Sequence, residues 1–193
     1  SSVKLVTAAA ALQAKGLPQP TPLATYKVSG QTFTGHNGAV CGATLDSAIA
    51  ESCNPYFAQL GAALGSGRLN AATSSLLNTQ ATLSGMPIAT STLVGNDADD
   101  AMTALGAVGL GDAQVTPVSM SLLATTIARG GNATCLRLTP SENGDCKAAS
   151  MPTAVAQRLR KAMTSVVTTG TAKGIPSLKG FAGKTGTADR GNG

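Results

Sequence analysis

Three short groups of residues carry side chains that could do chemistry together: Ser1-Ser2-Val3-Lys4, Ser52-Cys53-Asn54 and Lys184-Thr185-Gly186-Thr187. On a helix Ser1 and Lys4 share a face, so an amine at Lys4 can reach the hydroxyl it would deprotonate. Lysine is ordinarily too basic for that task near pH 7. Burial at a helix N-terminus, beside a second cation such as Lys184, disfavours the ammonium and leaves a free amine. Ser52 offers a hydroxyl that can pass a proton between the amine and a leaving group, and Asn54 an amide for a substrate backbone. A strand carrying Lys184 to Thr187 presents backbone groups to an extended peptide, while its hydroxyls and charge suit a C-terminal carboxylate. Gly186 removes a side chain that would fill the cleft. Charge developing on a scissile oxygen needs two donors, and a backbone N–H at a helix start is a natural one. Taken singly, each group has a plainer reading: Ser1 as a helix cap, Lys4 as a solvated charge, Asn54 as a helix end.

The elements that must hold these groups can be sketched from pattern. A helix starts at the Ser pair, with Val3, Leu5, Val6, Ala9 and Leu12 on one broad face, and Gly16-Leu17-Pro18 ends it. In the loop-rich stretch that follows, 26–28 and 31–33 suit short strands. Residues 45–64 have helical spacing, broken at Asn54-Pro55, because proline disfavours the α conformation in the residue before it. Residues 65–100 suggest a short helix over 71–77 plus loops, ending in an acidic Asn-Asp-Ala-Asp-Asp run that caps a helix near Ala101. Residues 116–131 and 152–170 are strong helices with proline in the first turn and glycine at the end. Residues 180–188 read as a strand.

Composition narrows the function classes. The chain has 193 residues, 42% hydrophobic and 12% charged, the latter about half the roughly 25% usual for soluble domains. That is enough apolar material for one core. The longest apolar run, residues 5–12, falls well short of the roughly 20 residues needed to span a bilayer. The net charge of +5 is spread out, and two Tyr and three Phe give almost no platform for stacking bases, so nucleic-acid binding is not expected. A single histidine, His36, and four scattered cysteines give no metal-ligand spacing, so neither metal nor cofactor is expected. Cys135 and Cys146 flank a polar loop that suits a surface disulfide, the alternative being free thiols. Cys41 could pair with Cys53, or Cys53 could be a small buried hydrophobe.

In their order along the chain the three groups match S-x-x-K, S-x-N and K-T-G, the signature of the serine penicillin-recognising enzymes. With the flanking blocks SSVKLVTAAAAL, LDSAIAESCNPYF, GLGDAQVTPVSMSLLATTIARGG and MTSVVTTGTAKGIPSLKGFAGKTGTA, the whole chain resembles the transpeptidase domain of penicillin-binding proteins. The class B-like proteins of high-GC Gram-positive bacteria are the most similar. The resemblance implies an α+β, helix-rich, β-lactamase-like fold with helices packed on an antiparallel sheet whose strands are incomplete in this chain. Residues 1–193 would run from the nucleophile motif to just past the K-T-G motif of a longer, membrane-anchored, extracytoplasmic protein.

The resemblance further implies that Ser1 is the acylated nucleophile, Lys4 its general base and Ser52 a proton relay. Asn54 would hold the donor peptide or a β-lactam side-chain amide, and Lys184 would support the network electrostatically. Thr185 and Thr187 would bind the substrate carboxylate beside Gly186, with the Thr187 and Ser1 N–H groups forming the oxyanion hole. The implied activity is D,D-transpeptidation of peptidoglycan stem peptides ending in D-Ala-D-Ala, blocked by β-lactams, with a membrane glycosyltransferase as a partner. A D,D-carboxypeptidase or β-lactamase on the same scaffold is the alternative enzyme, with Glu51 as the nearest carboxylate. A β-lactam sensor or scaffold module is the non-enzymatic alternative.

Overall fold

A computed structural model of the chain describes residues 1–140 and 150–186. Its described residues form six α-helices and two antiparallel hairpins. The first helix, α1 (Lys4–Gln13), is the axis of the molecule. Every residue from Lys4 to Ala10 is buried, so α1 is enclosed all round over its first two turns, where the sequence predicts one buried face. Its alanines explain the difference. Side chains of one carbon let α3 (Asn54–Leu77), α4 (Asp100–Val108) and α6 (Thr153–Thr168) crowd against it from several sides. The one hydroxyl caught there, on Thr7, donates to the Ala107 carbonyl at 2.8 Å and so is not left unpaired.

The two short strands expected are present as β1 (Thr25–Val28) and β2 (Gln31–Thr34), and they pair antiparallel with Val28 opposite Gln31. Ser29 and Gly30 turn the chain with φ of 44° and 82°, the two positive φ values that a tight hairpin turn needs. Phe33 is buried in the core from this hairpin. The second hairpin, β3 (Thr82–Leu83) with β4 (Met86–Pro87), is minimal. Helix α2 (Leu45–Glu51) begins at a reciprocal cap in which Thr44 and Ser47 bond each other's backbone N–H groups. The short helix expected over 71–77 is the end of α3, which bends at Gly65 (φ 76°, ψ 160°) and continues. Leu69, Ala72, Leu76 and Leu77 are buried on that second limb. Of the Gly65-Ser66-Gly67 run, only Gly65 leaves the helical region.

Asp99 caps α4 through the Met102 N–H, and Thr116 caps α5 (Pro117–Ala128) through Ser119. The expected strand over 180–188 is not formed in its described part. Residues 181–186 join no ladder; the Gly183 N–H donates to the Met163 carbonyl on α6 at 3.1 Å, and the Thr185 hydroxyl bonds that of Thr171. A strand needs a neighbouring edge to pair with, and this segment lies beside helices. The fold is therefore α+β and helix-rich, with the antiparallel sheet of the described residues confined to the two hairpins.

Candidate active site

The N-terminus of α1, the α2–α3 junction and the loop after α6 surround one cleft of about 810 Å³. Ser1, Lys4, Ser52, Asn54, Thr185 and Gly186 all line it. The junction owes its shape to two residues. Ser52 ends α2 in the left-handed region (φ 57°, ψ 40°), and Cys53 is extended, so α3 starts afresh at Asn54 with Pro55 in its first turn. There proline's missing N–H loses no helical bond. The break turns Ser52 and Asn54 towards α1. Cys53, buried between them, turns the other way into a disulfide with Cys41.

Lys4 is 1% exposed. Its Nζ donates to Asn54 Oδ1 at 2.7 Å and to Ser52 Oγ at 3.4 Å. Burial, and then the nearby ammonium of Lys184, lower its pKa from 10.5 to about 8. Burial lowers Lys184 to about 8 as well. Lys184 donates from Nζ to the Thr185 carbonyl at 3.0 Å. The two cations expected from sequence thus lie near enough for Lys184 to disfavour the Lys4 ammonium, and an amine that gives up its proton near pH 8 can act as a base.

The Ser1 hydroxyl is oriented differently from the sequence expectation. Its Oγ accepts the Val3 N–H at 3.2 Å, while Lys4 is engaged with Ser52 and Asn54. The Ser1 side chain is thus bonded within its own turn. Gly109, the left-handed cap of α4, makes room for this side chain, since a Cβ there would lie 2.2 Å from Ser1 Oγ. Gly186 sits opposite Ser2, where a Cβ would come no nearer than 4.0 Å to the Ser2 nitrogen. Thr187 and Cys146 lie outside the described residues, and with them one expected oxyanion donor and the expected Cys135–Cys146 pairing.

Several cleft residues escaped sequence reasoning. His36, Ala39, Val40 and Cys41 form one lip, and the Cys41–Cys53 disulfide ties that lip to the Ser52–Asn54 turn. Glu51, which the sequence did single out as the nearest carboxylate, also lines the cleft and accepts the Gly42 N–H at 3.1 Å. Thr169, Gly170 and Thr171 form the wall after α6. The Cys pairing and the glycine after α4 had signals in the sequence. Nothing marked Thr171 apart from its neighbours.

The family model for the penicillin binding protein transpeptidase domain matches residues 1–193, the whole chain. The chain belongs to the penicillin-binding protein transpeptidase family. It is 32% identical over 211 aligned positions to the peptidoglycan D,D-transpeptidase PbpA of Mycolicibacterium smegmatis, covering 99% of this chain and 43% of that protein. The chain thus spans less than half the length of the curated relatives it matches. Among solved structures it is similar to the penicillin G acyl-enzyme complex of penicillin-binding protein A from M. tuberculosis. That likeness has a TM-score of 0.70 at 27% identity, over 86% of this chain and 42% of the other. It is also similar to the D,D-transpeptidase domain of a peptidoglycan glycosyltransferase from Eggerthella lenta, with a TM-score of 0.73 at 26% identity, over 100% and 54% of the two chains. The resemblance seen in the three motifs is therefore a family relationship, with mycobacterial proteins among the relatives.

Proposed function

We propose that this chain carries the acyl-transfer site of a peptidoglycan D,D-transpeptidase, with Ser1 as nucleophile and Lys4 as base. The observation that carries the reading is the buried Lys4 amine, bonded to Ser52 and Asn54 in the cleft that Ser1 lines. In this reading the unprotonated Lys4 takes the Ser1 proton as Oγ attacks the carbonyl of the penultimate D-Ala of a stem peptide. The proton travels through Ser52 to the nitrogen of the terminal D-Ala, which leaves as a free amine. An acceptor amine then attacks the ester, and its proton returns by the same route as Ser1 is restored. Asn54 holds the donor backbone, Thr185 and Thr187 hold its carboxylate beside Gly186, and Lys184 supplies positive charge. A β-lactam acylates the same serine.

The finer setting is part of the same proposal: a longer extracytoplasmic protein, anchored in the membrane by a segment outside residues 1–193, working beside a glycosyltransferase. No helix of the described residues is long and apolar enough to cross a membrane. Glu51, the carboxylate beside the second motif, lines the cleft and accepts the Gly42 N–H through one of its two oxygens, so the choice between transfer and hydrolysis is left to the assay. The test is to supply the protein, as the cell makes it, with a donor ending in D-Ala-D-Ala and a D-amino acid acceptor. One exchanged product per D-Ala released is expected. Release of D-Ala without exchange would make the protein a carboxypeptidase, and neither product would remove the enzymatic reading.

A further inference from the structure

Thr171 meets the third motif directly. Its Oγ1 lies 2.5 Å from Oγ1 of Thr185, across the end of the cleft. The loop bearing it is held at several points. The Thr171 N–H donates to the Ala50 carbonyl at 3.0 Å, the Gly170 N–H to Ser165 at 2.8 Å, and the Ala172 N–H to Val166 at 2.9 Å. Gly170 is fitted so closely to α2 that a Cβ would fall 2.2 Å from the Ala50 carbonyl oxygen. Ala172 is buried behind it. The Thr171 hydroxyl is thus fixed relative to the last turn of α2, two residues before Ser52.

On its side, the Thr185 hydroxyl shares its hydrogen bond with Thr171, and the Thr185 carbonyl accepts from Lys184 Nζ. Each hydroxyl has one proton and can also accept. If Thr171 donates to Thr185, the Thr185 proton is left to point into the cleft, towards an anionic oxygen of the acyl donor. A bond given to Thr185 also polarises the one it makes.

We infer that Thr171 is a positioning residue: it holds and polarises the Thr185 hydroxyl, so that the site selects acyl donors bearing a free carboxylate. The inference rests on the reading of Ser1 as the acylated residue and adds a specificity determinant outside the three motifs. Thr171→Val keeps the shape and the backbone N–H and loses only the hydroxyl; Thr171→Ser keeps the hydroxyl. The experiment times covalent adduct formation with benzylpenicillin and with its methyl ester, for the wild type and both variants. In Thr171→Val the rate with benzylpenicillin should fall about tenfold, as for one lost hydrogen bond to a group that contacts an anion. The rate with the ester should stay within about twofold, since the ester has no charge for the hydroxyl to recognise. Thr171→Ser should behave as wild type with both. Equal losses with acid and ester would mean a merely structural role, and no loss with the acid would remove the role altogether. Absence of any adduct in the wild type would instead overturn the acyl-serine reading, and this inference with it.

Discussion

If Lys4 is the base proposed above, stability and catalysis pull in opposite directions there, and the size of the conflict follows from its burial. In an unfolded chain its ammonium releases a proton at the ordinary value of 10.5, whereas in the fold it does so at about 8. At about 1.4 kcal/mol per pH unit, holding that proton in the fold costs about 3 kcal/mol at neutral pH. The folded value is depressed, so between pH 8 and 10.5 the unfolded chain binds the proton and the folded protein does not. Stability should rise with pH over that window, with the penalty complete below it and absent above it. Lys4→Met has no proton there. Urea unfolding of wild type and Lys4→Met, followed by circular dichroism at half-unit steps from pH 7 to 10.5, isolates the effect, because other groups titrate in both proteins. The stability of wild type relative to the variant should climb by about 3 kcal/mol across the series. A difference flat with pH would show that Lys4 holds its proton as an ordinary exposed lysine does, and the argument for a base at this position would fail.

Asn54→Ala removes the 2.7 Å acceptor of the Lys4 ammonium, so it should destabilise the fold by roughly 1 to 3 kcal/mol. The ammonium also becomes less favourable, so the midpoint of the pH–rate profile for penicillin acylation should move below that of wild type; an upward move would contradict this. Gly109→Ala places a Cβ where the Ser1 hydroxyl now sits, in a residue whose φ is 81°. Acylation should slow at least tenfold, with about 1 kcal/mol of stability lost to the left-handed backbone, read by labelling rate and thermal melt; unchanged labelling would mean the hydroxyl does not need that space. Removing the Cys41–Cys53 link, which joins residues 12 apart, in the double alanine variant should lower stability by roughly 2 to 4 kcal/mol. Acylation should slow as well, because the lip and the Ser52–Asn54 turn lose their tie.

The candidate catalytic groups were readable because they lie in contiguous motifs whose side chains have few other reasons to recur in that order. Proline and glycine punctuation placed α5, α6 and the two short strands of the first hairpin well, since those residues act locally, whereas the pairing of the strands came from the structure. What escaped the sequence depends on tertiary contact. An alanine-rich helix gives a weak periodic signal, so the burial of α1 on all sides from Lys4 to Ala10, which lowers the Lys4 pKa, emerged only from its neighbours. Gly65-Ser66-Gly67 read as a loop because glycine propensity is local, whereas the packing of Leu69 and Leu76 carries α3 onward. A threonine has neither charge nor a distinctive spacing, so Thr171 was one polar residue among several. Its meeting with Thr185 depends on how the loop docks against α2.

The central claim is that Ser1 is the residue that becomes acylated. Intact-mass measurement after incubation with benzylpenicillin, followed by peptide mapping, tests it most directly. One adduct carrying the full mass of the penicillin should appear on the Ser1 peptide and be absent from Ser1→Ala, whose fold is confirmed by its melt. An adduct that persists in Ser1→Ala, or that maps to Ser52 or any other residue, would contradict the claim.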